Sequence, residues 1–395
     1  MQAIFTHRAM AGLVCGLLLS HPLAAAEWST RARLQQQLGY NDNMRLMTRD
    51  PEAVWSYTLE PALEMQRKNR DSDLEIKARA DIRRNDDPRW DCDNFNLQTR
   101  NEYRSGRMGA GFSGGYTGSC TYLQQLIDTG LLQPRVDYRQ LQLTPSWFWQ
   151  WSPRDKLTAE TGYARTEYDR NPGDPSTAFI GNETWSFALD EGHQWSPRLA
   201  LDGRLIVTTL RYADHTLPDQ VVQGVQLGGH YQLDRTLKIS LDAGPRRIQT
   251  RSAPGSDGSV RWGHSLNLAI DHETLLHRVT ARYSSTIAPS SIGQALQYQT
   301  LSSRYQYRID PAWSLQLEAG YYRTASLDGP SPANAFNRDY VAVSAGLRWH
   351  LTRELDLTLD YGYRFQQYDD FPGQAHGNSL LLGLGYGYDL WRDGF

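Results

Sequence analysis

Leu74-Glu-Ile-Lys-Ala-Arg-Ala-Asp-Ile-Arg83 alternates without a break, with Leu74, Ile76, Ala78, Ala80 and Ile82 on one parity and Glu75, Lys77, Arg79, Asp81 and Arg83 on the other. Successive side chains of an extended chain point to opposite faces, so this stretch has one wholly aliphatic face and one wholly charged face. A helix would instead scatter the charges around its circumference. The pattern recurs where Val260, Trp262, Leu266, Leu268 and Ile270 oppose Arg261, Asn267 and Asp271. It recurs again where Leu355, Leu357, Leu359, Tyr361, Tyr363 and Phe365 oppose Asp356, Thr358, Asp360 and Arg364. At the C-terminus Leu380, Leu382, Leu384, Tyr386, Tyr388 and Leu390 alternate with small or polar residues, and the chain ends at Phe395 on the other parity. That change of parity calls for a bulge or a short tail after Leu390.

A soluble sheet with one wet face alternates in the same way, so the connections have to decide between the two readings. Short turns are predicted near residues 68–71, 105–106, 152–155, 196–198, 234–235, 271–273, 310–311 and 352–353. Long loops fall at 41–51, 84–93, 117–135, 168–181, 213–219, 250–259, 286–295, 325–337 and 369–378. Strict alternation of long and short connections marks the two ends of an up-and-down membrane barrel, and these connections define eighteen strands. Propeller blades would need four short strands per repeat, whereas each repeat here holds two strands long enough to cross a hydrocarbon layer on a tilt. Trp147, Trp149, Trp151, Trp195 and Trp313 cluster at short turns, and Tyr163, Tyr212, Tyr283 and Tyr321 lie toward the opposite ends, as two interfacial girdles would. The predicted fold is therefore all-β, a transmembrane antiparallel up-and-down barrel of about 18 strands with long extracellular loops and short periplasmic turns.

The N-terminus agrees with that compartment. His7 and Arg8 precede the apolar run from Ala9 to Leu19, and Ala24-Ala25-Ala26 offers small residues before Glu27. Residues 1–26 are read as a signal peptide and 27–395 as one barrel domain. No later stretch approaches the roughly 18 consecutive apolar residues of a membrane helix. The mean hydropathy of -0.61 does not imply solubility, because a barrel hides its apolar residues at every second position. A net charge of -3 without a basic run argues against a nucleic-acid partner.

Inward positions, assigned by parity, supply the candidate solute-binding residues Arg31, Arg33, Lys77, Arg79, Arg83, Arg100, Arg204, Arg261, Arg282, Arg304, Arg348 and Arg364. A barrel of this size leaves room for water, and guanidinium groups on its wall would attract anions and offer planar donors to carboxylates and hydroxyls. Interspersed Glu75, Asp81, Glu102, Asp202, Asp242, Glu318 and Asp360 permit a plainer reading, in which cross-strand ion pairs hold a wet wall together. Cys92 and Cys120 flank one hairpin and suit a disulfide in an oxidising compartment. Strict alternation puts them on opposite faces, so a bulge or a departure from the ladder within Asp91–Asn94 is needed. Asp214-His215 and Asp369-Asp370 are loosely similar to the water-activating groups of omptin surface proteases, but they sit four hairpins apart, and no enzymatic activity is expected. No metal-ligand spacing or phosphate-binding glycine loop occurs, so no metal and no cofactor are expected.

The opening Leu38-Gly-Tyr-Asn-Asp-Asn-Met-Arg-Leu46, followed by a strand, the Lys68-Asn-Arg-Asp71 turn and the charged strand at 74–83, resembles the outer-membrane barrels of the β-barrel porin-2 type. Some of that group accompany exopolysaccharide loci. The resemblance implies an outer-membrane channel of a Gram-negative bacterium exporting a polysaccharide or another anionic or hydroxylated polymer. Outer-membrane lipids, the barrel assembly machinery and periplasmic export components would be its partners. The alternatives are a diffusion porin for small solutes and a non-conducting scaffold barrel. A porin should fold a long loop inward, and 117–135, with Leu123, Leu126, Ile127, Leu131 and Leu132, is the expected one.

Overall fold

The structure, a computed structural model, describes residues 26–120, 137–169, 180–213, 218–251, 259–289, 295–326, 337–369 and 373–393. The strands are β1 (Glu27–Asn41), β2 (Val54–Lys68), β3 (Ser72–Asn85), β4 (Cys92–Ser105), β5 (Met108–Cys120), β6 (Asp137–Trp149), β7 (Asp155–Tyr168), β8 (Asn182–Ser196) and β9 (Leu199–Tyr212). They continue as β10 (Asp219–Gln232), β11 (Leu237–Arg251), β12 (Ser259–Glu273), β13 (His277–Pro289), β14 (Ala295–Arg308), β15 (Trp313–Ser326), β16 (Arg338–His350), β17 (Leu355–Tyr368) and β18 (Gln374–Asp393). Every strand pairs antiparallel with its sequence neighbours, and β1 closes the ring on β18. Closure leaves no edge strand, so every wall strand has a ladder partner on both sides. Among the described residues the one helical element is a 3-10 turn at Pro88–Trp90, and no helix is long and apolar enough to cross a membrane.

The period-two pattern sets the wall. Leu74 faces the same way as its β2 partner Arg67, whereas the mid-strand pairs Leu63–Ala78 and Ala78–Leu97 extend one aliphatic row around the outside. That outer face stays open: Leu38 is 57% exposed, Leu205 51%, Leu227 71% and Trp262 71%. Exposed apolar residues in a continuous belt are costly in water and stable in hydrocarbon. Aromatic pairs border the belt at both ends, with Tyr40 against Trp55 (4.8 Å) and Tyr163 against Trp185 (4.6 Å) toward the long loops, and Trp313 stacked on Trp349 (5.1 Å) at the short turns. Strands about 4.8 Å apart, tilted by about 40°, give eighteen of them a backbone diameter of about 35 Å, too wide for side chains to fill.

Two sequence expectations change in detail. The turn expected at 271–273 lies three residues later, because Asp271 and His272 continue β12 and the chain reverses through Thr274, Leu275 and Leu276. Tyr212 is 3% exposed and shares the inward parity of Asp202 and Arg204, so it does not belong to the lipid-facing girdle. The parity change near the C-terminus is a bulge: Thr30 pairs with Trp391 and Arg31 with Asp389, so Leu390 is the extra residue. Phe395 lies outside the described residues, as does the expected signal segment up to residue 25. The two-residue turn between β4 and β5 follows the expected chemistry, with Gly106 at φ 58°, a left-handed conformation that costs glycine nothing.

Candidate functional site

The inward parity lines one lumen, and most of its predicted cations have carboxylate partners there. Arg31 meets Asp389 (2.8 Å), Arg33 meets Asp356 (3.5 Å), Lys77 meets Glu75 (2.7 Å), and Arg79 meets Glu60 (2.6 Å). Arg100 reaches Glu102 (3.8 Å), Arg204 reaches Asp190 (3.2 Å), Arg304 binds Glu318 (2.6 Å), and Arg348 approaches Asp356 (3.9 Å). Arg83 lies opposite Thr58 and Cys92, and Arg261 opposite Ile248. The charged inner row of β3 is therefore largely neutralised locally, and each such exposed pair adds only about 0 to 1 kcal/mol to stability.

Neutralisation fails along β12–β18. A cavity of about 630 Å3 opens there, lined by Arg278, Arg282, Arg304 and Arg364 against the carboxylates of Asp271 and Glu318. Arg304 is occupied by Glu318, and Glu273 lies 4.0 Å from Arg278. Arg282 has neither an ion pair nor a hydrogen bond among the described residues. Thr280, Ser302, Ser344 and Ser379 put hydroxyls on the same surface. The arrangement leaves excess positive charge beside neutral donors and acceptors, which suits a solute carrying a carboxylate and hydroxyl groups. Sequence parity placed Arg282 on this face, but only the register shows that it is the one without a partner.

The adjoining stretch of wall, β7–β11, carries Asp190, Asp202 and Asp242 around a recess that also includes Lys156, Arg204 and His230. The lumen wall is thus divided into a cation-rich arc and an adjoining acid-rich arc, instead of an even ring of arginines. His230 was not weighed from sequence, because its neighbours Asp202 and Asp242 reach it across strands and not through any linear spacing.

At the long-loop end the mouth is partly covered. The Asn43 side-chain amide donates to the carbonyls of Met47 and His376, both at 2.9 Å, folding the first loop back over the rim. Gln366 donates to the Leu46 carbonyl (2.9 Å) and Arg364 to that of Asn43 (3.2 Å). Leu46, held at φ 50°, is 2% exposed and packs with Met44, Val54, Trp90, both cysteines, Tyr340 and Ala375. A left-handed branched residue costs on the order of 1 kcal/mol, which burial of its side chain offsets. The loop between β3 and β4 joins the cluster through Trp90. Hydrogen bonding from Arg89 holds the Asp87 carboxyl there below the usual carboxylate range. Cys92 and Cys120 form a disulfide with 5.9 Å between Cα atoms. The β4–β5 ladder stops at Phe95–Gly118, and Asn94 accepts from Ser119 and Cys120, so the chain leaves the ladder where the bond requires it. The loop expected to fold inward, 117–135, falls mostly outside the described residues, as do Asp214, His215 and Asp370. Sequence reasoning missed the first loop, although Met44, Leu46 and Trp90 are apolar residues in otherwise polar connections.

No protein-family model and no curated protein matches the sequence, so neither the porin-2 resemblance nor its exopolysaccharide association finds a counterpart. Among solved structures the fold is similar to that of OccK2 (OpdF) from Pseudomonas aeruginosa in complex with glucuronate, at 10% identity, over 92% of this chain and 98% of that one, with a TM-score of 0.50. It is likewise similar to OccAB4 from Acinetobacter baumannii at 11% identity, over 94% of this chain and all of that one, with a TM-score of 0.50. At such identities the likeness concerns architecture: the chain is an eighteen-stranded closed antiparallel barrel of the kind seen in outer-membrane porins.

Proposed function

We propose that the protein is a diffusion channel of a Gram-negative outer membrane that favours small anionic, hydroxylated solutes such as sugar acids. The observation that carries this reading is the cavity on β12–β18, where the unpartnered Arg282 stands among hydroxyl-bearing side chains. A guanidinium in a narrow aqueous path raises the local concentration of anions, and the neighbouring acidic arc disfavours their passage along that part of the wall. The complex of the architecturally similar OccK2 with glucuronate supports the same solute class. Covering of the mouth by the first loop favours small solutes over a polymer. Export of a polysaccharide, with the periplasmic components it would need, loses ground to this small-solute reading. The apolar belt would contact outer-membrane lipids, and the assembly machinery for such barrels would insert it.

The test is a planar-bilayer measurement on the purified full-length protein. A potassium chloride gradient should give a reversal potential of anion-selective sign. Proteoliposomes should swell faster in glucuronate than in glucose of the same osmolarity. Cation selectivity, or the absence of any current, would overturn the proposal.

A further inference from the structure

We infer that Asp202, His230 and Asp242 form a binding site for a divalent transition-metal ion on the acid-rich wall of the lumen, separate from the arginine-lined cavity. The three residues lie on adjacent strands β9, β10 and β11, and all three point inward. One ligand atom from each lies within 4.8 Å of the other two. The backbone brings them together: Gly228 stands directly opposite Asp202 on one side and Asp242 on the other. A Cβ at Gly228 would collide with carboxylate oxygens of both aspartates, so the two acids lean into the space above the glycine. His230, two residues further along the same face of β10, completes the triangle from a diagonal position.

Two further observations separate this group from an ordinary solvated acidic cluster. Asp242 makes no ion pair and no hydrogen bond among the described residues, although it converges on a second carboxylate. Asp202 Oδ1 is buried and forms no hydrogen bond, although His230 Nε2 lies 2.9 Å away. An imidazole nitrogen and a carboxylate oxygen this close are placed to ligate one electrophile together. Of the nearby cations, Lys156 lies over the Phe148 ring at 4.6 Å, and Arg204 stands 3.2 Å from Asp190 while its charge also acts on Asp242. Mixed imidazole and carboxylate donors suit Zn2+ and its neighbours better than Ca2+, which takes six to eight oxygens, and the open lumen side leaves coordination positions for water or a solute.

Co2+ is the probe, because its visible absorption reports coordination directly. The full-length barrel in detergent, first treated with a chelator, is titrated with Co2+ and then with competitors. The expected result is one equivalent bound, displaced by Zn2+ and not by Ca2+. His230→Ala and Asp242→Asn should each weaken binding by at least about tenfold, since even residues that only orient metal ligands change affinity by about 10- to 100-fold. Gly228→Ala should weaken it similarly without removing a donor, and Glu75→Gln, on the inward face of the distant β3, should leave it unchanged. Micromolar Zn2+ should alter single-channel current in the native protein and not in the His230→Ala channel, whose own current shows that it is folded. If His230 is instead simply a protonated partner of Asp202, Co2+ will not bind stoichiometrically. That result, or equal affinity in all variants, overturns the inference.

Discussion

Arg282→Ala is the substitution that most directly probes the anion path. Arg282 lies on the inward face of β13, opposite Ala269 and Ser302, with no carboxylate to compensate it. A solute carboxylate about 6 Å from the guanidinium would gain about 0.7 kcal/mol in bulk water and about 2.8 kcal/mol at an effective dielectric of 20. A water-filled wall position lies toward the first limit, so about 1 kcal/mol is expected, or roughly a fivefold change in the partitioning of anions. The anion-to-cation permeability ratio in bilayers should fall by about that factor. Arg165→Ala is the control. It removes the same charge, but Arg165 pairs with Glu167 and Glu183 on the outer surface, so selectivity should not move. Equal shifts in the two variants would mean that net charge alone sets selectivity. No shift in Arg282→Ala would remove the cavity from the ion path altogether.

The remaining predictions concern the wall and the mouth. Leu205, exposed on the outer face near the middle of β9, should not tolerate charge: Leu205→Arg should destabilise the barrel by about 2 to 4 kcal/mol in lipid, read as a lower urea midpoint for unfolding from vesicles. Cys120→Ser opens a bond spanning 28 residues, and the chain-entropy model gives a loss of about 3.5 kcal/mol, with melting temperature of the reduced native protein matching that of the variant. Gln366→Leu removes the donor to the Leu46 carbonyl and should release the first loop. Trypsin should then cleave at Arg45 or Arg49 faster than in the native protein while the barrel resists, and an unchanged rate would show that the other contacts suffice.

The wall was legible in the sequence because its physics is local. Residues 74–83 state their two faces without reference to any other strand, and the alternation of turn lengths then allows only one closed topology. The turn after β12 lies three residues beyond the expected place because Asp271 and His272, good turn formers, here continue the ladder opposite Lys238 and Leu237. Tyr212 was assigned to the girdle on residue type, whereas its parity puts it with Arg204. The folded first loop went unread because its anchors, Arg364 and Gln366, lie more than three hundred residues away in the chain.

Alternation fixes which side chains face the lumen and says nothing about which of them stand at the same height. Arg304 and Arg282 look equivalent by parity, yet register places Arg304 opposite Glu318 and leaves Arg282 beside Ser302. In the same way, register puts Gly228 between Asp202 and Asp242, and a one-residue slip of β10 would both turn His230 to the lipid side and close the space where the acids meet. Register is fixed by the apolar outer belt, since a slip would bury charges in hydrocarbon. The membrane-facing residues therefore determine the lumen chemistry indirectly, by holding each strand at the one height where its inward groups find, or fail to find, a partner.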